Sequence, residues 1–154
     1  MKKPLVIVFS YHHKNTEKVA YAMAKVLGAE IKHPGELLAG DIAEYDLVGF
    51  GAGIDSGKHY EPIIELANAL PIVRNKKAFI FSTSGIYERN KMLKDHKTLR
   101  DILISRGYRI IDEFSCAGFN TNSFLRVFGG MNRGKPDMDD LKRAENFAAK
   151  LIND

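Results

Sequence analysis

The sequence predicts an α/β fold in which helices cover both faces of one doubly wound, five-stranded parallel sheet. Short runs rich in β-branched and aromatic residues alternate with longer stretches whose apolar residues recur at helical spacing. This alternation is typical of βαβ units, which build parallel sheets. The chain has 154 residues, of which 45% are hydrophobic, and shows no internal repeat or linker. We therefore expect a single domain over residues 1–154 with a full hydrophobic core.

The same pattern places each strand and three of the helices. The strands are predicted at Leu5 to Phe9, Ala29 to Lys32, Asp46 to Gly51, Lys77 to Ser82, and Arg109 to Cys116. The helices are predicted from apolar residues on one face: Val19, Met23, Val26 and Leu27; then Leu99, Ile102 and Leu103; and finally Leu141, Ala144, Ala148 and Leu151. Gly28 and Gly107 follow the first two helices, and Pro136-Asp137 begins the last.

Charge and cysteine content narrow the function classes. The lone Cys116 cannot form an internal disulfide, and the apolar run after Met1-Lys2-Lys3 is too short for a signal peptide or a membrane span. We expect a cytoplasmic protein, not attached to a membrane, that is a monomer or a weak homodimer. The net charge is +4, but the basic residues are dispersed and no nucleic-acid motif accompanies them. This balance favours an acidic protein partner over nucleic acid.

A polar loop follows the first strand and leads directly into the first helix. Its candidate phosphate-binding residues are Ser10, His12, His13, Lys14, Asn15 and Thr16. Their side-chain donors and positive potential, together with the backbone N–H groups at the helix start, favour an anion. Adjacent histidines usually point apart, so no metal site is predicted. Residues 15–17 also suit a helix cap, a role that is compatible with phosphate binding.

This loop resembles the phosphate loop of flavodoxins, where a similar turn after the first strand holds the phosphate of flavin mononucleotide (FMN). Asp46 to Asp55 resembles the third strand and first flavin-ring loop of that family, and Tyr60 to Ile63 resembles the start of the following helix. Phe79 to Gly85 is similar to the second flavin-ring loop. The resemblance covers nearly the whole chain. It implies a flavodoxin-like strand order 2-1-3-4-5, with one non-covalent FMN at the switch point between strands one and three.

The first flavin-ring loop is expected between Gly51 and His59. Its candidate cofactor-binding residues are Ala52, Gly53, Ile54 and Asp55. The glycines let the backbone approach a flat ring, although a tight loop without a ligand would use them equally well. In flavodoxins a peptide of this loop turns when the flavin takes an electron. The resemblance implies that either Gly53-Ile54 or Asp55 to Gly57 makes this turn. The glycine spacing before Lys58-His59 does not match an ATP-binding loop.

The second flavin-ring loop offers polar groups at the end of the fourth strand. Its candidate residues are Thr83, Ser84, Gly85 and Ile86. Their hydroxyls and amides suit the polar edge of the ring, although an ordinary polar strand end has the same composition. Flavodoxins that carry electrons usually cover the ring with an aromatic residue, whereas isoleucines occupy the matching positions here, 54 and 86. Tyr87, Tyr60 or His59 is a substitute only if the loops bend to bring it over the ring.

The connection from Cys116 to Pro136 is long and mixes glycines with aromatic and aliphatic residues. Connections of this length often have a function. Three roles stay open for it: covering the flavin, contacting a partner or a second subunit, or packing against the fifth strand. Cys116 does not begin a Cys-x5-Arg phosphatase loop, because Asn122 stands where the arginine is required. We expect a buried, inert thiol.

The resemblance implies an electron-transfer protein of low potential, in which FMN exchanges electrons between redox protein partners and no protein side chain is catalytic. Many flavodoxins are acidic and meet basic partners, so this basic chain is expected to meet an acidic one. The alternative is an FMN-dependent NAD(P)H or quinone oxidoreductase, which the missing aromatic cover favours. A signalling receiver domain has the same topology but needs acidic residues after the first strand, where Ser10-Tyr11-His12-His13 stands.

Overall fold

The computed structural model describes residues 3–10, 14–38, 40–85, 88–118 and 134–153, in which strands and helices alternate. The strands are β1 (Lys3–Phe9), β2 (Glu30–Lys32), β3 (Tyr45–Asp55), β4 (Lys58–His59), β5 (Lys76–Ser84) and β6 (Tyr108–Ala117). The α-helices in these ranges are α1 (Asn15–Leu27), α2 (Glu61–Ala69), α3 (Arg89–Asp95), α4 (Lys97–Ser105) and α5 (Met138–Leu151). Short 3₁₀ turns lie at Pro34–Glu36 and Asp41–Glu44.

The main strands form one parallel sheet in the order β2-β1-β3-β5-β6. This confirms the predicted order 2-1-3-4-5, in which the fourth and fifth predicted strands correspond to β5 and β6. The chain moves from β1 outward to β2 on one side and then to β3 on the other, so the winding reverses between β1 and β3. In sheets of this kind a ligand binds beyond the carboxyl ends of the strands at that switch point.

The third strand is longer than the sequence pattern predicts. The pattern ends it at Gly51, but β3 continues to Asp55 after its last pairs with β1 at Ala52 and with β5 at Gly53. Its final residues pair instead with β4, which is antiparallel to it. The turn between them has φ of 54° at Ser56 and 79° at Gly57, as two-residue hairpin turns require. The segment predicted to be the first flavin-ring loop is therefore a β-hairpin that projects past the sheet.

Two hydrophobic layers lie on opposite faces of the sheet. Alternation along β1 sends Leu5 and Ile7 into one layer and Val6 and Val8 into the other. The first layer is closed by α2 and α4, which pack against each other, and the second by α1 and α5. All four of these β1 side chains are fully buried, so neither face of the sheet centre meets water. The structure thus confirms a doubly wound sheet with helices on both faces.

The helix ends follow local sequence signals. Gly28 ends α1 with φ of 66°, the left-handed conformation that glycine adopts without strain. Asp137 begins α5 with a capping box, because its side chain accepts from the backbone N–H of Asp140 while the Asp140 side chain accepts from that of Asp137. The pattern does not predict α3, which has seven residues and is too short to show a helical period. Among the helices described, none is long and apolar enough to cross a membrane.

The close approach of β3 and β5 generates a stability prediction. A Cβ added at Gly51 would lie 2.2 Å from two atoms of the Phe81 ring, well inside van der Waals contact. We expect Gly51→Ala to lower the free energy of unfolding by about 1–3 kcal/mol, because the added methyl group overpacks the core. Urea denaturation measures this change. Gly35→Ala is the matched control, since its added methyl meets nothing within 4 Å. Equal stability of the two variants would contradict the packing described.

Candidate functional site

The three segments predicted to bind the cofactor lie side by side at one edge of the sheet. β1 ends at Phe9, whose register partner in β3 is Ala52, and the next β3 residue, Gly53, is paired with Thr83 in β5. Parallel pairing aligns the carboxyl ends of these strands. The turn after β1, the hairpin that ends β3 and the end of β5 therefore converge on one place. His12, His13 and Ile86 of the predicted set lie outside the described residues.

The start of α1 has an unusual backbone. Lys14 precedes the helix with φ of 52° and ψ of 35°, a left-handed conformation, and its side chain makes no capping hydrogen bond. A left-handed residue followed by helical ones turns successive N–H groups toward one point and forms a concave anion site. Asn15 is the first residue of α1 rather than its cap. Lys14 is itself exposed and adds positive charge at the start of the helix.

A buried hydrogen bond joins the start of α1 to the end of β5. The hydroxyls of Thr16 and Thr83 lie 2.8 Å apart, and the two residues are 1% and 4% exposed. The sequence analysis assigns both hydroxyls to the cofactor. In the structure each hydroxyl contacts the other. The pair fixes the start of α1 against the end of β5, while Ser84 and Gly85 lie nearer the surface.

Gly118, just after β6, forms a further wall of the site that the sequence analysis did not identify. A Cβ on it would lie 2.9 Å from Asn15 Nδ2 and 3.2 Å from Thr83 Cβ. Its backbone N–H donates to the Ser84 carbonyl at 2.9 Å. The absence of a side chain lets the backbone approach this closely. Residues 119–133 of the long connection, for which three roles were left open, lie outside the described part of the chain.

Of two residues that follow the hairpin turn, Tyr60 lies beside the site, whereas His59 points away from it. The Tyr60 ring covers Gly53, where a Cβ would come within 2.7 Å of it, and it meets Phe9 edge-on with ring centroids 6.2 Å apart. His59 is 1% exposed and points into the protein, where its Nε2 lies 3.0 Å from the Phe81 carbonyl oxygen. The structure therefore excludes His59 as a cover for the flavin ring. Tyr87 lies outside the described residues.

A chain of buried polar groups lies on the other face of β5, directly beneath the site. His96, at the junction of α3 and α4, is fully buried; its Nε2 is 2.7 Å from Ser82 Oγ and its Nδ1 is 2.9 Å from Glu113 Oε1. Glu113 accepts from Arg100 through both oxygens, at 2.7 Å and 2.8 Å. Ser82 Oγ donates to Ser115 Oγ at 3.0 Å. The sequence analysis did not identify this network, because its members come from β5, α4, β6 and a helix junction.

The electrostatic environment determines the protonation states of Glu113 and His59. Burial raises the pKa of Glu113, but hydrogen bonds from His96 and Arg100 overcome it and hold that pKa at about 2. Glu113 is therefore a carboxylate, and His96 Nδ1 carries the proton that it accepts. Burial and the neighbouring His96 lower the pKa of His59 to about 3. His59 is therefore neutral, with its proton on Nε2, the nitrogen that donates to the Phe81 carbonyl.

Comparison with known proteins agrees with this geometry. The family model for the flavodoxin domain matches residues 6–150. The chain belongs to the flavodoxin family. It is 43% identical over 150 residues to an uncharacterised protein of Methanocaldococcus jannaschii, covering 97% of this chain and 98% of that protein.

Solved flavodoxins share the fold at low sequence identity. Oxidised flavodoxin 2 from Bacillus cereus superposes with a TM-score of 0.73 and 15% identity, covering 98% of each chain. A flavodoxin from the domain Archaea gives a TM-score of 0.68 and 12% identity, covering 98% of this chain and 96% of that one. Flavodoxin-family proteins bind a flavin, typically FMN. Within this flavodoxin fold Cys116 is fully buried as expected, and burial raises the pKa of its thiol to about 12.

The lowered pKa of His59 generates a prediction on acid stability. Between its ordinary pKa of 6.5 and about 3, an unfolded His59 binds a proton that the folded one excludes. The free energy of unfolding therefore falls as the pH is lowered through this range, and below 4.5 Glu113 adds to the fall until about 2. In His59→Gln, which does not titrate, the slope between pH 6.5 and 4.5 should flatten. Urea denaturation at several pH values measures it, and an unchanged slope would contradict a neutral, buried His59.

Proposed function

We propose that this flavodoxin binds one FMN non-covalently and carries electrons between redox proteins. The observation that supports it most is that three segments meet at one edge of the sheet. The start of α1 has a backbone suited to an anion, and the β3–β4 hairpin and the end of β5 lie beside it, where a flavin ring would bind. When bound, FMN supplies the redox chemistry, and the protein supplies binding, orientation and electrostatics. Cys116 is the single cysteine of the chain, so no internal disulfide forms, which agrees with a cytoplasmic location.

The turn before α1 suits the FMN phosphate. Backbone N–H groups converge after left-handed Lys14, the positive end of the α1 dipole lies there, and Lys14 is an exposed basic residue. Half-buried Ser10 adds a hydroxyl donor. Asn15 is 8% exposed, and its side-chain amide lies close to Gly118. This donor set matches a phosphate, which accepts several hydrogen bonds and carries negative charge.

The hairpin and the end of β5 suit the isoalloxazine ring. Gly53, Ile54 and Asp55 present backbone and a half-buried apolar side chain on one side, while Ser84 and Gly85 offer polar groups on the other. Tyr60 lies next to Gly53 and closes the space toward β1. Gly53 and Ile54 are held in the ladder, whereas Ser56 and Gly57 form the turn. We therefore assign the redox-linked peptide movement to residues 55–57 rather than to 53–54.

The surface charge supports an acidic redox protein as the partner. The chain carries 23 basic and 19 acidic residues, and exposed Lys14 lies at the mouth of the candidate site. Opposite charges accelerate the encounter of two electron-transfer proteins without requiring a large interface. A basic chain that acts as a monomer or weak homodimer would leave this edge accessible to such a partner.

The Thr16–Thr83 contact generates a binding prediction. Thr16→Ala removes the hydroxyl that ties the phosphate turn to β5, so we expect FMN affinity to fall ten-fold or more, about 1.4 kcal/mol. Quenching of flavin fluorescence on titration of the apoprotein measures the affinity. Thr98→Ala, at an exposed position of α4, is the matched control and should bind FMN as the wild type does. Unchanged affinity in Thr16→Ala would argue against phosphate binding at this turn.

An FMN-dependent NAD(P)H or quinone oxidoreductase is the second candidate function. It is favoured by Ile54, which stands where electron-carrying flavodoxins have an aromatic cover and leaves room for a small substrate above the ring. Stepwise anaerobic reduction of the FMN-loaded protein distinguishes the two functions. We expect two resolved one-electron steps, as a carrier requires. A single two-electron step, with saturable NAD(P)H oxidation by a quinone, would favour the reductase instead.

A further inference from the structure

We propose that two buried histidines, His59 and His96, are positioning residues that fix the two flavin-ring segments relative to each other. The inference rests on the proposed FMN site and adds to it a support layer beneath the ring-binding surface. Neither side chain lines the site, since they are 1% and 0% exposed. Each one instead holds a segment that does.

His59 fixes the β3–β4 hairpin. Beyond Gly53 the strand β3 has lost both of its parallel neighbours, so the hairpin is held by its own ladder and by what its side chains reach. His59 pairs with Ile54 in that ladder and donates from Nε2 to the Phe81 carbonyl at 3.0 Å. This bond ties the returning strand to β5. Movement of the hairpin is thereby confined to its tip, residues 55–57.

His96 fixes the end of β5. Its Nε2 lies 2.7 Å from Ser82 Oγ, and Ser82 directly precedes the ring-binding residues 83–85. On its other side, Nδ1 donates to Glu113, which is itself held by both hydrogen bonds from Arg100. The imidazole is therefore held through both of its ring nitrogens. Together with Thr16, which reaches Thr83 from the opposite face, His96 clamps the end of β5 from both sides of the sheet.

The two anchors also contact each other. The imidazole rings lie 4.8 Å apart between centroids at an angle of 46°. The charged groups that face them are Glu113 and Arg100, while the Lys91–Asp95 ion pair lies on α3 alongside. The neutral imidazole of His59 packs against this network. Its Nδ1 makes no hydrogen bond within the described ranges. A displacement of the hairpin is therefore transmitted to the end of β5 through packed rings.

The energetics argue for a positioning role. Well-packed hydrophobic residues in place of a buried ion pair are often neutral or stabilising, so a chain of this kind is weak evidence for stability alone. Its hydrogen bonds are directional, however, and define one arrangement of the groups they join. The network lies at the end of the sheet that carries the site, where geometry matters most for a cofactor.

Two variants and a control test the inference. His59→Met keeps the volume but cannot donate to Phe81, whereas His59→Gln retains a donor at the corresponding distance along the side chain. We expect His59→Met to bind FMN at least ten-fold more weakly and to shift both one-electron midpoint potentials, and His59→Gln to restore most of the loss. Tyr45→Phe, which removes a buried hydroxyl bonded to Glu30 at the far end of β3, should lower stability without changing either potential.

Ser82→Ala provides a second route that leaves both imidazoles in place. It removes the hydroxyl between His96 and β5, and we expect it to shift the potentials in FMN-loaded protein and to speed amide hydrogen exchange in residues 83–85 of the apoprotein. Wild-type affinity, potentials and exchange in both His59→Met and Ser82→Ala would overturn the inference. Failure of the wild type to bind FMN would instead overturn the proposed function, while hydrogen exchange in the apoprotein would still measure the anchoring.

Discussion

The parallel pairing of β1, β3 and β5 is the constraint on which the candidate site depends. The ladder brings Phe9, Ala52 and the Gly53–Thr83 pair to the same level, so three segments far apart in the chain end together. A parallel sheet needs helical crossovers, and these put α1 on one face and α2 and α4 on the other. The aligned strand ends and the helix N-terminus above them are thus consequences of one arrangement of backbone hydrogen bonds.

Polar side chains near the site are buried on both faces of β5. On the α1 face Thr16 contacts Thr83, and on the α4 face His96 contacts Ser82. Both contacts fall where the sheet core gives way to the functional edge, so apolar packing can no longer define the end of the strand. Directional hydrogen bonds perform that task instead, and each donor in them has a partner that keeps the cost of burial low.

Sequence periodicity was enough to place the main strands and three of the helices, because these depend on local patterns of apolar residues, while the strand order came from the resemblance to flavodoxins. It failed at β3, where the Gly-rich stretch from Gly51 to Gly57 reads as a loop although its backbone continues the ladder into a hairpin. Nor could it show that the Thr16 hydroxyl contacts Thr83 or that His59 is buried against Phe81. Whether a polar side chain faces a ligand or another side chain is decided by partners distant in the chain, such as Thr83 and Phe81. No local pattern records that choice.

The packing of α1 on α5 has a consequence for how the protein is made. The apolar face of α1 packs against the sheet and against Ala144, Phe147, Ala148 and Leu151, which come after every strand in the chain. Until those residues have been synthesised, α1 lacks the part of its apolar contacts that α5 provides. The helix that leads into the candidate site is therefore fully packed only after all the strands that position the site have been made.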